Sequence, residues 1–112
     1  MADLDKLLSL PGALAVFEFT DRGELSSYKT SGDTDLDDSV LDLLSHVCVA
    51  NLSIATMQAR GWEKVTGMGG FYPIAGFTMI GMDWSTVTHG RTGIVFENDT
   101  ADFEAAYAAF EA

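Results

Sequence analysis

Cys48 is the chain's only cysteine, and only two histidines, His46 and His89, accompany it. On a helix His46 and Cys48, two residues apart, point roughly 160° away from each other and cannot share a metal. His46 instead follows Asp42 by four residues, the spacing of an exposed helical pair. A lone cysteine rules out an internal disulfide, fits a reducing compartment and reads as a small buried hydrophobe before it reads as a nucleophile. Asp33-Thr34-Asp35-Leu36-Asp37-Asp38 has the acid density of a calcium loop. The sixth and twelfth places, which an EF-hand fills with Gly and Glu, hold Asp38 and Leu44. Acids at a helix N-terminus, favoured by the helix dipole, explain the run better. Gly67-Met68-Gly69-Gly70 lacks the Lys and Ser/Thr of a phosphate loop, and the stretch after it reads as strand. Ser85 and Thr88 lie near His89, but no serine stands in a Gly-x-Ser-x-Gly elbow. No catalytic, cofactor-binding or metal-binding set emerges, and no cofactor is expected.

The elements that position these residues follow from periodicity. Leu4, Leu7 and Leu8 make a short amphipathic turn that Pro11-Gly12 stops. Ala13–Phe19 reads as a buried strand, Asp21-Arg22-Gly23 as a hairpin turn and Glu24–Tyr28 as the return strand. Thr34 is placed to cap a helix that runs to Arg60 and stops at Gly61, roughly 39 Å long. Strands follow over Tyr72–Met82, with an interruption near Gly76, then over Trp84–His89 and Thr92–Glu97. A last helix begins near Thr100, with Phe103, Tyr107 and Phe110 on one face. The order is helix, hairpin, long helix, three-strand meander, helix, in one α/β-type domain (an α+β sandwich) of 112 residues.

Around the long helix, Leu36, Val40, Leu43, Val47, Ala50, Ile54 and Met57 form one apolar stripe. Leu41, Leu44, Cys48, Leu52 and Ala55 form a second. Together they span roughly 220°, about twice what a surface helix needs. Asp38, Asp42, Ser45, His46, Ser53, Thr56 and Arg60 take the polar arc. A sheet covers one stripe, and the short terminal helices are too small to hide the other, so a homodimer is expected. Asn51 and Gln58 lie in this apolar arc. Asn51 either pairs with its symmetry mate and sets register or bonds a backbone group of its own chain.

Seventeen acidic against six basic residues give a net charge of −11. That argues against nucleic acid and against anionic membrane, which both need clustered Lys and Arg. The charge serves solubility or a basic protein partner. The N-terminus carries no signal peptide and the apolar run Ile74–Met82 is short of a bilayer span, so a cytoplasmic location is expected. The sequons at Asn51 and Asn98 are then chance. The aromatic residues Trp62, Phe71, Tyr72, Phe77 and Trp84 cluster about the Gly-rich loop. They serve the core, an exposed patch or a pocket with Cys48.

Certain motifs carry a resemblance: Leu7-Leu8 before Pro11-Gly12, Phe17-Glu18-Phe19 with Asp21-Arg22-Gly23-Glu24-Leu25, and Cys48-Val49-Ala50-Asn51. Gly76-Phe77, Gly81-Met82-Asp83 and Gly93-Ile94-Val95-Phe96-Glu97 continue it. With this order of elements the chain resembles the roadblock / dynein-light-chain-type domain, a profilin-like architecture, and in particular a small prokaryotic branch of it. The resemblance implies a five-stranded antiparallel sheet with the long helix on one face. It also implies dimers formed through that helix and the third strand, and non-catalytic scaffolds or regulators, often of small GTPases or motor complexes. The interface expectation falls on Val47, Asn51 and Ile54, and on Phe71, Tyr72, Phe77 and Met79 of the Phe71–Ile80 segment. Two alternatives compete with this interaction module: a small-molecule sensor with Cys48, Trp62, Tyr72 and Trp84 around a pocket, and a redox accessory protein using Cys48.

Overall fold

The computed structural model describes residues 3–32 and 34–111. Met1, Ala2, Asp33 and Ala112, and with Asp33 the start of the acidic run, lie outside them. In chain order the elements are α1 (Leu4–Leu8), β1 (Ala13–Phe19), β2 (Leu25–Thr30), α2 (Asp38–Thr66), β3 (Gly76–Ile80), β4 (Trp84–His89), β5 (Thr92–Glu97) and α3 (Phe103–Glu111). The five strands form one antiparallel sheet in the order β2-β1-β5-β4-β3, which leaves β2 and β3 as its edges.

The strands alternate their side chains between two cores. Ala15, Phe17, Phe19 and Val95 face α2 and pack with Leu36, Leu41 and Cys48. Val16, Val87, Ile94 and Phe96 face the other way, onto Leu7 of α1 and Ala106 of α3. The terminal helices thus lie on the side of the sheet away from α2. That is why neither covers the stripe of Val40, Leu43, Val47, Ile54 and Met57.

Strands β1, β4 and β5 run over the residues their apolar patterns predict. β2 is shifted, from Glu24–Tyr28 to Leu25–Thr30, and the last helix starts at Phe103 rather than near Thr100. The long helix differs more. Its N-cap is Asp37, not Thr34: the Asp37 carboxylate accepts the Val40 N–H at 3.0 Å, while Thr34 bonds only the Leu36 N–H. That N–H, and then the Ser39 hydroxyl, hold the Asp37 carboxyl below its usual range. At the other end α2 runs through Gly61 and stops at Gly67, whose φ of 70° gives the left-handed turn. A mid-helix glycine costs only about 1 kcal/mol, and Trp62-Glu63-Lys64-Val65 carry the helix on.

The structure also corrects the start of the third strand, which begins at Gly76 rather than Tyr72. The Glu63 carboxylate accepts the N–H groups of Gly70, Phe71 and Tyr72 at 3.0–3.1 Å, and Pro73 has none to offer a ladder. Arg60 donates to the Tyr72 hydroxyl at 2.8 Å and lies over its ring. This loop is therefore tied to α2 and not to the sheet. Glu63→Ala is expected to release it: in hydrogen exchange the Gly70, Phe71 and Tyr72 amides should lose their protection while those of β4 and β5 keep theirs.

Two further positions differ from the pattern-based reading. Ser45, assigned to the polar arc, is fully buried and donates to the Leu41 carbonyl at 2.7 Å. Leu36, assigned to the open stripe, precedes the helix and is buried. By length and composition the segment that suits a membrane crossing is α2 rather than Ile74–Met82. Here α2 is tied to the sheet instead, with Asp42 accepting the Leu25 N–H at 2.9 Å and Cys48 in the core.

Candidate functional site

The stripe of α2 that runs from Val40 to Met57 is open to solvent. Val40, Leu43, Val47, Ile54 and Met57 are exposed, Leu43 to 67% and Met57 to 74%. Their neighbours Leu41 and Cys48 are fully buried. Beside the stripe, β3 and β4 add Met79 and Trp84, which are also exposed. Helix and strands together bound a groove of about 340 Å³, lined by Leu36, Val40, Leu43, Leu44, Val47, Met79, Trp84, Thr86 and Val95. Contiguous exposed apolar surfaces of this kind are where proteins meet a partner, a ligand or a membrane.

The predicted interface residues divide over this surface. Val47, Ile54 and Met79 are on it. Phe77 lies on β3 and packs partly into the α2-side core. Phe71 and Tyr72 are exposed but belong to the loop held by Glu63. Asn51 is half-buried. Leu36, Val40, Leu43 and Thr86 also line the groove; the first three had a sequence signal in their stripe, and Thr86 had none.

The three candidate pocket residues are not gathered. Trp84 borders the groove and a second cleft of about 470 Å³ lined by Leu14, Thr34, Asp35, Asp83, Glu97 and Asp99. Neither Cys48 nor Trp62 lines either one; Trp62 stands exposed near the end of α2. Cys48 is fully buried, with its Sγ 3.3 Å from the Thr88 hydroxyl. Burial pushes its thiol up, and the Thr88 hydroxyl offsets only part of that. The folded thiol therefore holds its proton to a higher pH than an unfolded one, which ionises near pH 8.5. Stability contributed by Cys48 is unchanged below that pH and falls as pH rises past it. Urea midpoints measured from about pH 7.5 to 9.5 should decline more steeply for the parent chain than for Cys48→Ala. Alkylation of the thiol should wait on unfolding.

The His46 Nδ1–H donates to the Asp42 carbonyl at 2.7 Å, and the same nitrogen is 3.8 Å from the Asp42 carboxylate. His89 stacks on Phe110 at 5.3 Å, on the opposite face of the sheet from Cys48. Ser85 bonds the Asn98 carboxamide, whose nitrogen in turn donates to the Gly81 and Met82 carbonyls. These polar groups hold turns and strands to one another. Among the described residues, no group of three or more His, Cys, Asp and Glu side chains is placed to hold a metal.

Comparison with solved structures places the fold. The gliding protein MglB from Thermus thermophilus superposes with a TM-score of 0.73 at 16% identity, covering 96% of this chain and 77% of that one. A Roadblock/LC7 domain from Streptomyces avermitilis gives 0.76 at 8% identity over 95% and 83%. Myxococcus xanthus MglB gives 0.67 at 18% over 96% and 82%. The chain has the fold of a roadblock-type domain. No curated protein matches it in sequence. The chain belongs to the family described as "Uncharacterized conserved protein (DUF2173)", whose model matches residues 3–112.

Proposed function

We propose that the chain is a non-catalytic scaffold or regulatory module that acts in the cytoplasm as a homodimer. The dimer forms through the open stripe of α2 together with β3. Its further partner is a protein, and the roadblock resemblance makes a small GTPase or a larger complex the class to test. The observation behind this reading is the apolar surface that runs unbroken from Val40, Leu43 and Val47 on the helix to Met79 and Trp84 on the strands. The polar side chains that could do chemistry are instead buried, as Cys48 is, or engaged in holding the fold, as Ser85 is.

Native mass spectrometry of the protein purified gently from its own cells tests it. A mass of two chains is expected, and an additional polypeptide would identify the partner. A bare monomer at high concentration would overturn the reading. The groove itself supports one alternative, since about 340 Å³ lies within the range of small-molecule sites. A small additional mass retained on the protein would move a sensor role to the front.

A further inference from the structure

Phe103, Tyr107 and Phe110 share one face of α3, but they do not share one environment. The Phe103 ring stands edge-on to Phe96 over the core. Tyr107 and Phe110 meet β3 and β4 instead, through Thr78 and His89. Across these strands Gly76 pairs with His89 and Thr78 with Val87. Alternation puts the four on the face away from α2, where Val87 joins Ala106 in the core. α3 has nine residues and is only about 14 Å long. Its last described residues, Phe110 and Glu111, border this part of the sheet rather than close over it, and Gly76 has no side chain to fill the space. A cleft of about 260 Å³ is left between α3 and the β3–β4 hairpin.

The side chains around it have a definite chemistry. One wall is aromatic: the His89 and Phe110 rings stack 5.3 Å apart and 18° from parallel. Val87, almost fully buried, adds an aliphatic surface. The Thr78 and Tyr107 hydroxyls are 3.1 Å apart, and one donates to the other. That leaves one O–H and several lone pairs free for a guest. The charged group is the exposed Glu111 carboxylate, which only accepts, at the negative end of the helix dipole. Among the described residues no lysine or arginine lines the cleft. The chain's net charge of −11 draws cations to it from a distance. The volume lies between the roughly 150 Å³ of a cavity that holds benzene and the roughly 300 Å³ at which drug-sized sites begin. That is room for one ring or two fused rings.

We propose that this cleft binds a small aromatic amine, its ring against His89, Phe110 and Val87 and its ammonium group on Glu111 and the Thr78–Tyr107 hydroxyls. A carboxylate in place of the ammonium would face Glu111 and be repelled. An aliphatic amine would leave the aromatic wall unused. The cleft lies across the sheet from the open stripe of α2, so this site stands or falls independently of the homodimer reading.

Titration of the nitrogen-15-labelled full chain with tryptamine, followed by its amide shifts, tests the site. Saturable shifts are expected at Thr78, Val87, His89, Tyr107 and Phe110, and none at Val40, Leu43 or Val47. Indole-3-propionate keeps the ring but reverses the charge, and butylamine keeps the charge without a ring. Each should bind roughly tenfold more weakly than tryptamine. Glu111→Gln, at an exposed position, should weaken tryptamine roughly two- to fivefold, the value of an exposed ion pair. Thr78→Phe fills the cleft with a residue that suits a strand and should abolish the shifts. If that variant loses its fold, Glu111→Gln and the two control ligands still decide. The proposal is overturned if tryptamine gives no saturable shifts, if they fall on the α2 groove, or if indole-3-propionate or butylamine binds as well as tryptamine. Unchanged affinity in Glu111→Gln would overturn it too.

Discussion

A chain carrying Val47→Asp is expected to sediment as a monomer while keeping the circular-dichroism spectrum of the parent. Val47 lies in the middle of the open stripe and is exposed within the single chain. A carboxylate there stays solvated, Val and Asp have similar helix propensities, and surface changes of this kind usually move stability by about 0.5 kcal/mol or less. In the dimer the same carboxylate would lose its water with no basic side chain opposite it. An unpaired buried charge costs about 3–5 kcal/mol, which corresponds to a dissociation constant raised by roughly two to nearly four orders of magnitude. Ser53→Asp adds the same charge on another flank of α2 and should leave the dimer intact. Sedimentation velocity over a range of concentrations separates the outcomes. An unfolded Val47→Asp chain would mean that the stripe belongs to the monomer's own core, and an undisturbed dimer would place the interface elsewhere.

Phe17→Ala is expected to produce the largest loss of stability, about 3–5 kcal/mol, against total stabilities of about 5–15 kcal/mol for domains of this kind. Phe17 is fully buried at the centre of β1, its ring 6.0 Å from that of Phe19 and opposite Gly93 in the β1–β5 register. A methyl group on Gly93 would collide with the Phe17 ring, which is enclosed and has nowhere to move. Gly93→Ala should therefore destabilise by about 1–3 kcal/mol through overpacking. Because both changes act on the same space, Phe17→Leu with Gly93→Ala should cost measurably less than the two single changes added together. Urea unfolding of the four chains tests this. Strict additivity would show that the ring does not occupy the space above Gly93.

Much of this architecture was legible before any coordinates. Ala13–Phe19, Trp84–His89 and Thr92–Glu97 could be delimited because apolar runs and the turn residues between them are local signals, set by backbone geometry over a few residues. The same holds for the two stripes on α2, which follow from the helical period alone. The failures lie where a distant group intervenes. Gly61 looked like a stop because glycine usually ends helices. The loop after it, gathered by Glu63 across seven to nine residues, begins only past Gly67. Tyr72–Ala75 looked like strand, but the Tyr72 N–H goes to that same carboxylate. Ser45 looked exposed by its polarity, yet a hydroxyl bonded to its own helix backbone can be buried.

The candidate site divides along the same line. Composition and periodicity alone determined that α2 has more apolar surface than one sheet can cover and that no cofactor motif is written into the chain. Only the tertiary structure decided which stripe stays open. Asp42 anchors α2 to β2, Cys48 and Leu41 turn into the sheet, and α1 and α3 pack on the opposite face. Leucine and valine carry no label for the partner they will meet. Two equally apolar stripes of one helix become a core and a surface only when residues far along the chain take one of them.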